Sequence, residues 1–268
     1  MSIASENRST RGTPLHMLQA ALGPARGTPH VKPGLIVAGA TGALGSEVLR
    51  RLAGSGCFAH TQVLAREPMS TGLAQVMIAP VSGDDIASWS ASTLAAQTGV
   101  VMFEPPRLHH DRERALWTPV PAQLVALAAW LQRCGVTTLV LVLPHAQGSL
   151  PQALRLGLAS LAEQELAALG FERLLLLRSA QKPPRPVGAR PLARIATWML
   201  SVCSYMIPTA ALPVRPARVA EFLDAALRVL PPGTHVVGTE LLWQGGKPQD
   251  MQAVVQAWLN TRLNVQEN

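Results

Sequence analysis

Apolar residues in this chain fall into short runs that alternate with longer stretches where they recur at helical spacing. From Gly34 onward, runs at 35–38, 62–65, 76–79, 100–103, 138–143 and 174–177 predict strands. The stretches 43–53, 84–96, 121–134 and 151–169 between them predict helices. Near-continuous apolar strands alternating with helices are the pattern of a parallel sheet covered on both faces, hence an α/β fold. Further on, Ile195, Trp198, Met199, Val202, Cys203 and Met206 form a stripe at helical spacing. The run 195–207 is shorter than the roughly 20 residues a membrane span requires, so it predicts core or lid packing, with a dimer helix as the second reading. Stretches 216–230, with proline in its first turn, and 253–263 predict two last helices, and so a small helical region toward the C-terminus.

The first strand runs straight into Gly39-Ala-Thr-Gly42-Ala-Leu-Gly45, and Val48, Leu49 and Leu52 then fall on one helical face. Strand, three glycines and helix in that order suit a pyrophosphate: one glycine turns sharply, one lets bare backbone approach the anion, and one lets the helix pack on its strand. The free amides and positive dipole end of the helix then face the anion. This predicts a Rossmann-type doubly wound parallel sheet, with Gly39, Thr41, Gly42, Ala43, Leu44 and Gly45 binding a dinucleotide. The tip of the second strand, about 20 residues beyond the last glycine, meets the adenosine ribose in such folds, where an acid favours NAD and an arginine accommodates the 2′-phosphate of NADP. Here the tip reads Ala65-Arg66-Glu67-Pro68. Arg66 therefore points to NADP(H), and Glu67 offers a weaker NAD(H) reading. Asp84 and Asp85, after the third strand, are explained equally well by adenine contact or by a helix cap.

The composition, 48% hydrophobic and 15% charged over 268 residues, is that of a globular chain with one main domain. A net charge of +7 raises the question of nucleic acid, but the basic residues are mostly scattered arginines with local clusters at 107–114 and 182–194, and 4% aromatics leaves little for bases to stack on. No nucleic-acid partner is expected. Cys57, Cys134 and Cys203 are widely spaced and form no C-x-x-C, which suits reduced core thiols in a cytoplasmic protein. Residues 1–33, rich in Ser, Thr, Arg, Gly and Pro, read as a disordered tail without the apolar region of a secretory signal. The expected organisation is that tail, a dinucleotide-binding domain over 34–245 and a C-terminal helix within 246–268.

The glycine turn, the Arg66-Glu67-Pro68 tip, Glu165-Leu-Ala-Ala-Leu-Gly170-Phe171 and Leu176-Leu177-Arg178-Ser179 together resemble the atypical short-chain dehydrogenase/reductases. Within them the chain is most similar to the small NAD(P)H-binding branch that includes the Tat-interacting-protein-like oxidoreductases. The resemblance covers about 34–245 and implies a Rossmann sheet with the cofactor across the carboxyl ends of its strands. It also implies that the stretch Gln181-Lys182-Pro183-Pro184 passes the nicotinamide end, where Lys182 either contacts a phosphate or an acidic ligand or belongs to a solvated linker.

The sequence departs from that family in its catalytic set. Family enzymes use a serine after the fifth strand and a Tyr-x-x-x-Lys on the next helix, the lysine lowering the tyrosine pKa for proton exchange. Aligned on 171–178, the tyrosine position falls at about Arg155, the lysine at about Ala159 and the serine at Pro144-His145; Tyr205, the single tyrosine, lies far downstream. Conventional proton relay is therefore absent, and a nucleotide-sensing or scaffold protein is the leading expectation. The alternative is a divergent NAD(P)H-dependent oxidoreductase passing hydride to a quinone or small carbonyl acceptor, with solvent or His145 supplying the proton. Glu104 and Pro105, after the fourth strand, are expected to face the cofactor. His109-His110-Asp111 does not present the spacing of a metal site, and no metal is expected.

Overall fold

The computed structural model describes residues 32–83, 85–91, 96–107, 110–145, 160–180, 214–243 and 250–266, all within one compact unit that begins at Lys32. Its centre is a seven-stranded sheet in the order β3-β2-β1-β4-β5-β6-β7. The strands are β1 (Gly34–Ala38), β2 (His60–Ala65), β3 (Val76–Pro80), β4 (Thr98–Met102), β5 (Thr138–His145), β6 (Arg173–Ala180) and β7 (Gly233–Val237). Every neighbouring pair is parallel. This is the Rossmann-type order, with the direction of winding reversing between β1 and β4, where ligands of open α/β sheets bind.

Side-chain alternation along each strand divides the core in two. Leu35 and Val37 of β1 join Val100, Met102, Val140, Val142, Leu175 and Leu177 on one face. Helices α1 (Gly42–Gly54), α5 (Pro216–Val229) and α7 (Asp250–Gln266) cover it through Val48, Leu52, Phe222, Leu223, Met251 and Val255. Ile36, Ala38, Val101, Leu139, Leu141, Leu174 and Leu176 face the other way, against α3 (Leu124–Arg133) and α4 (Leu161–Ala168). On this second face Trp89 packs edge-on against Trp117 and Trp130, with ring centroids 4.9 and 5.4 Å away. On the first face α1 is tied to α5 by buried Asp224, which accepts from Arg51 Nε at 3.0 Å and from Arg228 Nη2 at 2.9 Å. Short helices α2 (Asp111–Arg114) and α6 (Thr239–Trp243) complete the described elements.

Two expectations about elements are corrected. The helix over 84–96 is not formed: its described residues make a single 3₁₀ turn at Ile86–Ser88. The Asp85 carboxylate accepts from Ala87 N, and Trp89 leaves the turn extended so that its Nε1 donates to Ser82 O and Gly83 O while its ring enters the tryptophan cluster. Packing of that ring overrides the apolar spacing that suggested a longer helix. Edge strand β7, with Val236 and Val237 buried against β6, was not expected. The helix expected over 151–169 is described from its cap onward, where Ser160 Oγ accepts from Glu163 N; its first nine residues and the stripe 195–207 lie outside the described residues. No helix among the described residues is long and apolar enough to cross a membrane.

Candidate functional site

The site is built where β1 ends. Gly39 (φ +74°) reverses the chain after Ala38, and Gly42 (φ +71°) opens α1. Neither conformation suits a residue with a side chain. A Cβ on Gly39 would also meet the Met102 carbonyl oxygen of β4, and one on Gly45 would meet the backbone of Gly39 and Ala40, so the turn lies close against both β4 and its own helix. The result is the first turn of a 13-residue helix at the carboxyl edge of the sheet, at the β1/β4 switch point. Thr41 stands at the cap position, yet its side chain does not cap the helix. Its hydroxyl is fully buried and bonds instead to Glu104 O and, at 3.2 Å, to Thr118 Oγ1.

Two amides of the first turn, those of Gly42 and Leu44, are bound by carboxylates from beyond β4. Glu104 Oε2 accepts from Leu44 N at 2.5 Å. Glu113 Oε2 accepts from Gly42 N at 3.0 Å and from Arg107 N at 2.9 Å, while its Oε1 accepts from Arg107 Nε at 2.7 Å. Ser46 Oγ, which donates to Gly42 O at 2.7 Å, lies 3.5 Å from the same Oε1. Burial pushes the Glu113 carboxyl up, but the Arg107 guanidinium and the amides of Arg107 and Gly42 outweigh it and hold the group below its ordinary value near 4.5. Arg107 is raised in turn, by its hydrogen bond to Glu113. The helix start is thus an anion site in working order, and the anions on it belong to the chain itself.

Residues after Glu113 then cross the ends of β1 and β2. Arg66 N donates to Ala115 O at 2.7 Å, Trp117 N to Leu64 O at 3.0 Å, and Gly39 N to Trp117 O at 3.2 Å. Leu116 forms an isolated antiparallel bridge with Ala65. Trp117, only 1% exposed, anchors this crossing in the second core. The strap lies over the β2 tip, where a dinucleotide's ribose would sit, and Glu104 fills the space that a Cβ on Gly42 would need. The backbone of the turn has the form a pyrophosphate requires. The side chains around it do not fit one: as folded, carboxylate oxygens stand where phosphate oxygens would bind.

Of the residues expected at this site, the structure brings together Gly39, Thr41, Gly42, Ala43, Leu44, Gly45 and Glu104, with Pro105 next in the chain. Arg66 is exposed at the β2 tip beside the strap. His145 ends β5 opposite Ala180 of β6, at the same carboxyl edge but three strands along from β2. Lys182, Arg155, Ala159, His109 and Tyr205 lie outside the described residues. Missing from the expectation are Glu113, Arg107 as its partner, and Trp117. The stretch 107–114 stands out in the sequence only as a local basic cluster, and the acid within Asp111-Arg112-Glu113-Arg114 gives no sign that it meets Gly42, 71 residues away in sequence. Away from this site a buried pair, Arg178 Nη2 to Glu163 Oε2 at 2.8 Å, links β6 to the start of α4, with Thr239 Oγ1 donating to Arg178 O.

No family model and no curated protein matches the chain. Among solved structures it is similar to a Rossmann-fold NAD(P)-binding family protein from Shigella flexneri, at 15% identity over 74% of this chain and 87% of that one, TM-score 0.41. It is also similar to glucuronic acid dehydrogenase from Chromohalobacter salexigens, at 16% identity over 77% and 76% of the two chains, TM-score 0.46. A third is uronate dehydrogenase from Agrobacterium tumefaciens, solved as a mutant complexed with NAD, at 19% identity over 76% of each chain, TM-score 0.44. Identities and TM-scores this low carry no argument about function.

Proposed function

We propose that this chain binds a nicotinamide dinucleotide at residues 39–45, NADP(H) in preference to NAD(H), and works as a nucleotide-sensing or scaffold protein rather than as a dehydrogenase. One observation carries the reading. At the β1/β4 switch point the Gly42 and Leu44 amides of α1 hold the carboxylates of Glu113 and Glu104, so the turn binds anions, and a diphosphate would take this position only by displacing those carboxylates. Arg66, exposed at the β2 tip, supports the 2′-phosphate preference. The non-catalytic role rests on the sequence, where arginine and alanine occupy the positions at which the resembling family has tyrosine and lysine. Loss of a general acid removes roughly 100- to 10,000-fold in rate, leaving hydride transfer too slow for a working dehydrogenase of alcohols or ketones.

A second reading is favoured by the position of His145 at the carboxyl end of β5. A histidine in this position of the sheet would suit a divergent oxidoreductase that reduces a quinone or small carbonyl, as a group able to supply the proton. Calorimetric titration of the purified protein with NADPH and NADH, followed by turnover of NADPH with quinones and aldehydes, separates the two. Binding of NADPH without turnover supports the sensor or scaffold. Turnover that falls on replacing His145 with alanine supports the oxidoreductase. Absence of dinucleotide binding refutes both.

A further inference from the structure

We infer that the free edge of the sheet at β3 is a self-association surface, on which a second copy of this chain packs by a two-fold contact. The inference is independent of the dinucleotide reading. A doubly wound sheet needs cover on both faces, and β1 and β4 have it, buried at every position. The edge strand β3 does not. Residues 66–75, which join β2 to β3, form no helix, and the described part of 81–97 beyond β3 holds only the 3₁₀ turn at Ile86–Ser88. Val76 reaches the first core, but Ile78 and Ala79 are only partly buried against the two cores, and Met77 and Leu73 stand 40% and 42% exposed. Along this edge runs an open groove of about 440 Å³ whose lining includes Pro68, Met69, Met77, Ile78 and Pro80.

Charge decides which partner fits. Residues 68–83 contain no Asp, Glu, Lys, Arg or His, and all of them except Val76 and Val81 are exposed or half-exposed; charge resumes at Glu67 on one side and Asp84 on the other. A surface stretch depleted of charge, with methionines at its centre and charge at its ends, has the composition of an interface core and its rim. A two-fold contact sets a surface against itself, so every charge on it would face its own kind. This stretch has none to repel. Leu73 and the groove lie on the same stretch, so Leu73 of each copy enters the groove of the other, against the partner's Met69 and Met77, whose flexible thioethers adapt to it. The backbone decides how the copies meet. Thr61 N donates to Gln75 O and Val81 N to Ala65 O, so by alternation Val76, Ile78 and Pro80 turn their main-chain groups to the open edge. Val76 N already donates to Leu73 O at 3.4 Å, Val76 O accepts from Thr71 Oγ1 at 2.7 Å, and Pro80 has no N–H. An edge blunted in this way does not take another strand, so the contact is made by side chains and an extended peptide is not its occupant. The stretch is shorter than the about 20–30 residues a side of a standard interface, so the dimer is a reversible one.

The test is sedimentation velocity of the full chain over a range of concentrations, without nucleotide. Native protein should be monomeric on dilution and dimeric at the highest concentrations. Leu73→Glu and Met77→Lys, both at exposed side chains, should each weaken association about tenfold or more by placing a lone charge in the contact, while circular dichroism stays native. An equimolar mixture of the two variants should recover the dimer, because only there does the new glutamate of one copy meet the new lysine of the other. A photo-reactive side chain placed at position 73 gives a second readout that needs no charged variant: it should cross-link to residues 68–80 of a second copy. A native protein that is monomeric at every concentration overturns the inference. So does a dimer that survives both variants, which puts the contact on another face, or a cross-link from position 73 that reaches only another protein or another region of this chain.

Discussion

Replacing Glu113 with alanine tests whether this buried acid holds the glycine turn together. Its carboxylate is the acceptor for Gly42 N at 3.0 Å and Arg107 N at 2.9 Å, and no water replaces it readily at a position only 6% exposed. Leaving a buried amide without its acceptor costs about 1–3 kcal/mol, so losing two, one of them partly solvated, is expected to cost about 2–4 kcal/mol. The Arg107 guanidinium is largely solvated and returns to water, adding little. For a chain of this size, about 2–4 °C of melting temperature accompanies each kcal/mol, which gives a fall of roughly 5–15 °C. Urea denaturation is the assay, with the midpoint falling at unchanged slope. The same acid sets a pH signature. Its folded pKa is held below the ordinary value near 4.5, so its contribution is complete above that value and is lost as pH falls through the lower, folded one. The stability gap between native and variant protein should therefore be constant near neutrality and close in the acid range. A loss below about 0.5 kcal/mol, the level of an ordinary surface change, would refute the role given to Glu113.

Gly42→Ala is expected to cost about 1–2 kcal/mol by denaturation, from the left-handed conformation alone. Because its Cβ takes space beside the first-turn amides, now held by Glu104, it should also abolish NADPH binding. Arg66→Ala should weaken NADPH binding roughly 10- to 100-fold by titration while leaving NADH affinity unchanged, as expected for loss of one charge-assisted contact to the 2′-phosphate. Trp117→Ala should cost about 3–5 kcal/mol, since the ring is fully buried against Trp89; a change under about 1 kcal/mol would show the strap to be loosely held.

What the sequence discloses follows the range of the interactions involved. The β1 run, the three glycines and α1 are local: apolar residues buried on both faces, positive φ and helical spacing all act within a few residues, and the observed turn follows them. Strand β7 was illegible because Gly233-Thr234-His235 is polar or exposed and only its last two residues are buried. The overlong helix at 84–96 arose from Ile86 and Trp89 at helical spacing, which a single turn and one tryptophan ring satisfy instead. At the site, Glu104 was expected near the cofactor because it follows β4. Its bond to Leu44, however, spans 60 residues and converts an expected lining residue into an occupant of the anion position. Glu113 stands among arginines with no local sign of burial, since burial by the strap depends on Trp117 meeting a core assembled from distant segments.

The most direct test of the account is a crystal structure of the native protein grown with saturating NADPH. The account predicts the diphosphate at the start of α1, accepting from the Gly42 and Leu44 amides in place of the carboxylates that hold them in the unliganded chain. A structure in which Glu104 and Glu113 keep these amides, with the dinucleotide elsewhere or missing, would contradict it.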